Sequence, residues 1–444
     1  MATRFLARIE RIDPQLHAVL ALAPDALRAA AASDRRRQDG ESLGPLDGVP
    51  ILIKDNIEAI GLPGCAGSRA LASSPVLSDA PLVARLRAAG LIVLGATNLS
   101  EWANFRSTGS TSGWSAVGGQ TSNPFALGHN PSGSSSGSGA AVAAGLAPWA
   151  VGTETDGSIV SPAGHCGLVG FKPTVGTVPG AGIVPISPVQ DTAGPMTRSV
   201  LDAALLYGVL ADQTEPATAW QPPELDGVPV AVWRPAGLTA ALAEVLDAVE
   251  ARLAQAGAHV VPARLAAAEE PSGPFADAEF EALVGEFAVA LPAYLAERAG
   301  SHPRTWPELL AFNRADDVEL SQFGDEIFEL AARADQSRAG QARQACLAAA
   351  SRELASVLGE CAFAVTVTNG PAAPIRYGQA DHEAVSTSSL CAITGAPSLT
   401  LPGMLVTGLP VGISLLGRRD HDRELLAWGL AVERLLPVLD YPEL

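Results

Sequence analysis

Apolar residues at Phe5, Ile9, Ile12, Leu16 and Val19 fall three or four positions apart. That is the period of one helix face, and it predicts helix through much of the first 35 residues. At Gly48–Ile53 the pattern changes to a continuous apolar run, Gly-Val-Pro-Ile-Leu-Ile, which reads as a buried strand ending at Lys54. Helical spacing returns between Ala80 and Gly90, with Leu82, Val83 and Leu86 on one face and Gly90 as a stop. Leu91–Gly95 is a second strand-like run. Strand, helix, strand in that order predicts a parallel pair joined by a crossover helix.

From residue 106 to 200, Gly, Ser, Thr and Pro dominate and charge nearly vanishes. A flexible linker of that composition would be polar throughout. This one is interleaved with apolar runs at Ala140–Ala147, Trp149–Val151 and Leu168–Phe171. It therefore reads as a compact core segment whose backbone passes close to something. After Pro216 the chain turns rich in Ala, Glu and Arg, and Leu242, Val245, Leu246, Val249 and Leu253 mark a helix. Val228–Trp233 and Ala258–Val261 flank it as short strands, and Ala266–Arg352 reads as mostly helix. Strands return at Ala364–Thr368, Ser398–Leu401 and Val411–Leu416, and a helix at Glu424–Leu436 closes the chain. Because strands come from both halves, one α/β domain over residues 1–444 is expected. It has a central mixed sheet covered by helices on both faces and a helical insertion at about 266–352.

The composition, 48% apolar and 17% charged over 444 residues, suits a large buried core. The net charge of −18 argues against nucleic acid or an anionic membrane surface as partner, since both are bound through basic patches. Cys65, Cys166, Cys346, Cys361 and Cys391 are odd in number and form no CxxC pair, which predicts free thiols in a reducing compartment. The opening run Met1–Leu16 holds no secretory apolar core. Gly139–Gly152, the longest stretch of low charge, is too short and glycine-broken to span a bilayer. A cytoplasmic monomer or homodimer is expected.

The chain contains two lysines, Lys54 and Lys172, and every other strongly basic side chain is arginine. Arginine keeps its proton at any workable pH, whereas a buried lysine can release its own. Near them in sequence lies Gly152-Thr-Glu-Thr-Asp-Gly-Ser158. Its small residues would let successive backbone N–H groups converge on an oxyanion, with a serine at the end to attack a carbonyl carbon. A tight glycine turn is the plain alternative. Gly133-Ser-Ser-Ser-Gly137 fits the nucleophile-elbow pattern with Ser135 as nucleophile, but a loop, Asn123–Pro131, precedes it where that motif needs a strand. A Ser-His-Asp scheme would draw on His129 or His165. His17, His259, His302, His382 and His421 lie elsewhere, and no histidine sits in a metal pattern. The pairs Asp316-Asp317 and Glu269-Glu270 read as solvated faces.

Taken together, Gly133–Gly145, Gly152–Ser158, Gly170-Phe-Lys-Pro-Thr-Val-Gly176 and Asp191-Thr-Ala-Gly-Pro195 resemble the signature of the amidase signature family. Gly48–Asn56, Gly95–Ala103 and Gly408–Ile413 extend the resemblance in the same order along the chain, with a signature core at about 48–200. The wording of Glu154–Ile159 and Asp191–Met196 is most like the bacterial peptide amidases. The resemblance implies a Ser–cis-Ser–Lys triad with no metal or organic cofactor. In it Ser158 is the nucleophile, Ser134 the bridging serine after a cis bond, and Lys54 the general base. Thr155, Asp156, Gly157 and Ser158 supply the oxyanion hole, and Lys172 stands outside the triad. Its activity is hydrolysis of carboxylic amides, as peptide C-terminal amides or small aryl and acyl amides. Carbamates (urethanes) and esters are alternatives open to the same triad. An amidotransferase-type subunit and a Ser-His-Asp hydrolase are lesser readings.

Burial after the apolar run Ile51–Ile53 would favour the neutral amine of Lys54, and the Ser134 hydroxyl can both accept and donate a proton. Two residues depart from the family pattern. Asp156 stands where many relatives have glycine and adds negative charge to the turn unless it is turned away or hydrogen-bonded. Val160 stands where many carry arginine, which weakens the amidotransferase reading and suggests a neutral group near the nucleophile. For substrate contacts the aromatic residues Trp114, Phe125, Phe323 and Tyr377 are the candidates.

Overall fold

The computed structural model describes residues 1–265, 274–379 and 385–444. The first residues of the expected insertion (266–273, including Glu269 and Glu270) and His382 lie outside the described residues. The strands are β1 (Val19–Leu22), β2 (Pro50–Lys54), β3 (Ile92–Thr97), β4 (Trp114–Ser115), β5 (Gly119–Gln120), β6 (Trp149–Glu154), β7 (Val169–Lys172) and β8 (Thr192–Thr197) from the first half. The second half adds β9 (Pro229–Trp233), β10 (His259–Ala263), β11 (Phe363–Val367), β12 (Ser398–Val406) and β13 (Leu409–Leu416). Eleven of them form one mixed sheet in the order β1-β3-β2-β6-β8-β7-β12-β13-β11-β9-β10, and β4 and β5 make a separate two-stranded ribbon. The two halves of the chain meet where β7 pairs antiparallel with β12.

The sheet follows from its residues. Every residue of β2, β3 and β6 is buried, as expected of strands covered on both faces. β2 and β3 are parallel and joined through the helix Pro81–Ala88, the crossover that the apolar pattern predicts. β9, the helix Ala240–Gln255 and β10 repeat that unit in the second half. The opening helix is shorter than its apolar stripe suggests. It ends at Leu16, and Val19 begins β1. The side chain of Asp13 takes the N–H groups of Ala18 (2.8 Å) and Val19 (3.1 Å), and His17 adopts a left-handed φ of 54°, so the chain turns instead of continuing.

The Gly/Ser-rich stretch forms a helix, Ser136–Ala143, buried on every side against β2, β3, β6 and β8. Its glycines permit that depth: a Cβ on Gly137 would lie 2.3 Å from the Ala18 carbonyl oxygen. The helices Pro274–Glu297, Trp306–Ala315 and Glu326–Ala331 build a second core. There Phe287, Trp306 and Phe328 pack ring against ring, with Trp102 and Phe105 from the first half. Among the described residues no helix is long and apolar enough to cross a membrane.

Candidate active site

Parallel pairing sets β2 beside β6, with Ile53 opposite Val151, so Lys54 and the turn after Glu154 emerge at the same edge of the sheet. Lys54 is wholly buried. Its Nζ lies 2.8 Å from Ser134 Oγ, 2.9 Å from Thr153 Oγ1 and 3.1 Å from the Thr153 carbonyl oxygen. Asn56 Nδ2 donates to the same Thr153 hydroxyl at 2.9 Å. Burial pushes the Lys54 pKa well below 10.5, against the opposing pull of Glu154 and Asp191. Ser134 follows a cis peptide bond from Gly133. A Cβ on Gly133 would come within 2.2 Å of Ser100 Oγ, so any larger residue there would have to displace that hydroxyl. The next residue's N–H, that of Ser135, donates to the Ser158 carbonyl oxygen at 3.1 Å and ties the two serine segments together.

Ser158 lies in the turn between β6 and the helix Val160–His165. Gly157 has a φ of +78°, the left-handed conformation that favours glycine. Among the bonds formed between described residues, none uses the backbone N–H of Asp156, Gly157 or Ser158. The Glu154 carboxylate instead takes the next two, those of Ile159 (2.7 Å) and Val160 (3.0 Å). The Ser135 hydroxyl, the elbow candidate, is committed elsewhere. It donates to the Thr153 carbonyl at 3.0 Å and accepts from the Thr153 N–H at 3.2 Å.

An amidase family model matches residues 1–426. The chain belongs to the amidase signature family. A probable amidase of Arabidopsis thaliana is 36% identical over 97% of this chain and 85% of its own length. The native peptide amidase of Stenotrophomonas maltophilia is 40% identical, with a TM-score of 0.92, over 100% of this chain and 94% of that one. A structure of the peptide amidase PAM with the competitive inhibitor chymostatin is 41% identical, with a TM-score of 0.93, over 100% and 95%. As a member of this family the protein is an enzyme that hydrolyses amide C–N bonds.

The amidase treats its two lysines differently. Lys172 is buried at the end of β7, where its Nζ donates to the Pro173 carbonyl at 2.9 Å and its pKa is lowered by burial. Asp156, the departure from the family wording, is hydrogen-bonded: Ser389 Oγ donates to its Oδ2 at 2.6 Å, and Glu279 pairs with it. Thr155 Oγ1 donates to Asp191 Oδ1 at 2.6 Å, while Asp191 Oδ2 takes the N–H groups of Ile186 and Ser187. Burial pushes the Asp191 pKa up to about 6 despite those bonds. Of the aromatic candidates, Trp114 and Phe323 meet edge to face at 5.0 Å, with the Arg106 guanidinium 4.5 Å from the Phe323 ring. Arg106 is itself held by Glu101 (2.5 Å) and Glu319 (3.0 Å). Tyr377 is half exposed on the loop whose Arg376 carbonyl accepts from Thr111. Phe125 stands apart, against Tyr441. The residues that the sequence did not single out are Thr153, Asn56, Gln190 and Glu279. The first three lie inside or beside quoted motifs, whereas nothing near Glu279 in the chain marks it.

Proposed function

We propose that this amidase works through Ser158 as nucleophile, Ser134 as proton relay and Lys54 as general base. The contact that carries the reading is the 2.8 Å approach of Lys54 Nζ to Ser134 Oγ in a buried setting that disfavours the ammonium form. Two N–H bonds of a neutral amine are satisfied by the two oxygens of Thr153, which leaves the lone pair for Ser134. Ser158 Oγ attacks the substrate carbonyl carbon, and its proton passes through Ser134 to Lys54. The backbone N–H groups of the Thr155–Ser158 turn receive the carbonyl oxygen as it gains charge. The same proton returns to the leaving amine as the C–N bond breaks, and water, deprotonated along the same path, releases the acid.

Peptides ending in a carboxamide are the proposed substrates. Support comes from the 41% identity to a peptide amidase over the whole chain and from Val160, an uncharged residue two positions beyond the nucleophile. We further propose a cytoplasmic enzyme with a signature core at about 48–200 and a variable helical insertion at about 266–352. Fluorophosphonate labelling with peptide mapping tests the site: label on Ser158, lost in Lys54→Met, is expected, and label on Ser135 would sink the reading. Rates on a panel of peptide amide, anilide, urethane and ester test the substrate class, with the highest kcat/KM expected on the peptide amide.

A further inference from the structure

The turn that carries Ser158 is held from outside the signature motifs. Gln190 Nε2 donates both to the Thr155 carbonyl (3.2 Å) and to Glu279 Oε1 (2.8 Å). Glu279 is buried on the helix Pro274–Glu297, and its carboxyl also pairs with that of Asp156. Gln190 Oε1 accepts from Arg343 Nη1, so the amide orientation is fixed at both ends. Arg343, on the helix Gln336–Leu358, grips both oxygens of Glu286 at 2.7 Å, and Ser187 Oγ donates to that carboxylate at 2.6 Å. Thr155 and Asp156 are therefore anchored through two helices of the segment that sequence alone assigns to a variable insertion.

We propose that Glu279 is a positioning residue for the oxyanion turn, bridging Asp156 and Gln190 so that the backbone N–H groups of residues 155–158 stay aimed at the substrate carbonyl oxygen. The inference rests on the reading of Ser158 and its turn given above. Two buried carboxyls side by side are stable when they share one proton. Burial and the neighbouring Asp156 push Glu279 well above the ordinary carboxylate range, which makes it the proton-bearing partner. Among the described residues Asp156 Oδ1 is buried, and the Ser388 hydroxyl and the Glu279 proton both face that carboxylate. Glu279 Oε1 already accepts from Gln190, so its other oxygen is left to carry that proton. A neutral amide at 279 reproduces both contacts, one as acceptor and one as donor.

The test uses the full chain and a small amide substrate. Glu279→Ala is expected to lower kcat roughly 10- to 100-fold with KM within about twofold, because the turn is loosened while the binding surface remains. Glu279→Gln is expected to retain kcat within about threefold, as the rescue a positioning role predicts. Gln190→Ala cuts the other end of the bridge and should reproduce the kcat-specific loss, which covers the case in which Glu279→Ala does not fold. Leu291→Ala, on the core face of the same helix, should lower Tm without that loss. Unchanged kcat in Glu279→Ala or in Gln190→Ala, or a Gln variant as impaired as the Ala variant, overturns the proposal. So does a Leu291→Ala enzyme that loses kcat as much as Glu279→Ala does. Fluorophosphonate labelling of the wild type separates the two levels: label away from Ser158 overturns the site reading itself. Label on Ser158 together with an unaffected Glu279→Ala overturns only the role of Glu279.

Discussion

A lysine serves as a base only where its charged form is the disfavoured one. At Lys54 the protein achieves this by burial, since Glu154 and Asp191 pull the other way. That has a consequence for stability. The unfolded lysine titrates near 10.5 and the folded one below it, so between those two values the unfolded chain binds one proton more. Stability therefore rises with pH across that window through this residue. Lys54→Met removes the effect. In thermal melts taken from neutral pH toward pH 10.5, the Tm of the wild type should gain on that of Lys54→Met. A gap that stays constant would show that Lys54 is not buried as the free amine. The same variant should lose on the order of 10,000-fold or more in kcat, as removal of a triad member does elsewhere.

At the scale of elements, the helix Ser136–Ala143 shows why the chain between 106 and 200 is so poor in large side chains. It lies directly against the sheet, and at Gly137 its nearest neighbours are backbone atoms rather than side chains that can move. Gly137→Ala would set a methyl 2.3 Å from the Ala18 carbonyl oxygen and 2.5 Å from that of Asn98. A loss of at least about 1–3 kcal/mol is expected, read from the urea midpoint, because overpacking against backbone relaxes poorly. A near-neutral result would mean the helix sits higher on the sheet. Strand β8 shows the converse. Its residues, Thr-Ala-Gly-Pro-Met-Thr, carry neither alternation nor an apolar run, and Pro195 argues against a central strand, yet β8 lies between β6 and β7. Gly194 is required there because a Cβ would meet the Phe171 carbonyl oxygen at 2.1 Å. Such a strand is defined by its neighbours, and no local pattern could reveal it.

Across the whole molecule, the second core couples the helices after residue 274 to the front half through Trp102, Phe105 and the polar bridge at Glu279. Substitutions in that polar bridge, unlike those in the apolar core around it, should act on both stability and turnover. Arg343→Ala, which frees Gln190 and leaves the Glu286 carboxylate half-buried without its partner, should lower Tm and kcat together. Parallel melts and steady-state rates check this, and a Tm loss with unchanged kcat would place Arg343 outside the support of the turn.

The amino-acid sequence by itself determined the buried strands around Ile51–Ile53 and Ile92–Leu94, the crossover between them, the mixed α/β class and the order of the motifs. Each of these is written in local apolar spacing or in runs of small residues that only a close backbone approach explains. It also marked Lys54 by its scarcity and Ser158 by its glycine turn, whereas the local pattern at Gly133–Gly137 pointed to Ser135 and only the family resemblance singled out Ser134. Only the tertiary structure decided that Lys54 meets Ser134 and Thr153 across 80 and 99 residues of chain. It also decided that Asp156 is tied down by Ser389 and Glu279, and that a glutamate 123 positions further on than Asp156 stands against the turn that carries Ser158. Those contacts depend on how β2 and β6 align and on where the later helices dock, and a lone glutamate in an acidic helix carries no local sign of the partner it will find.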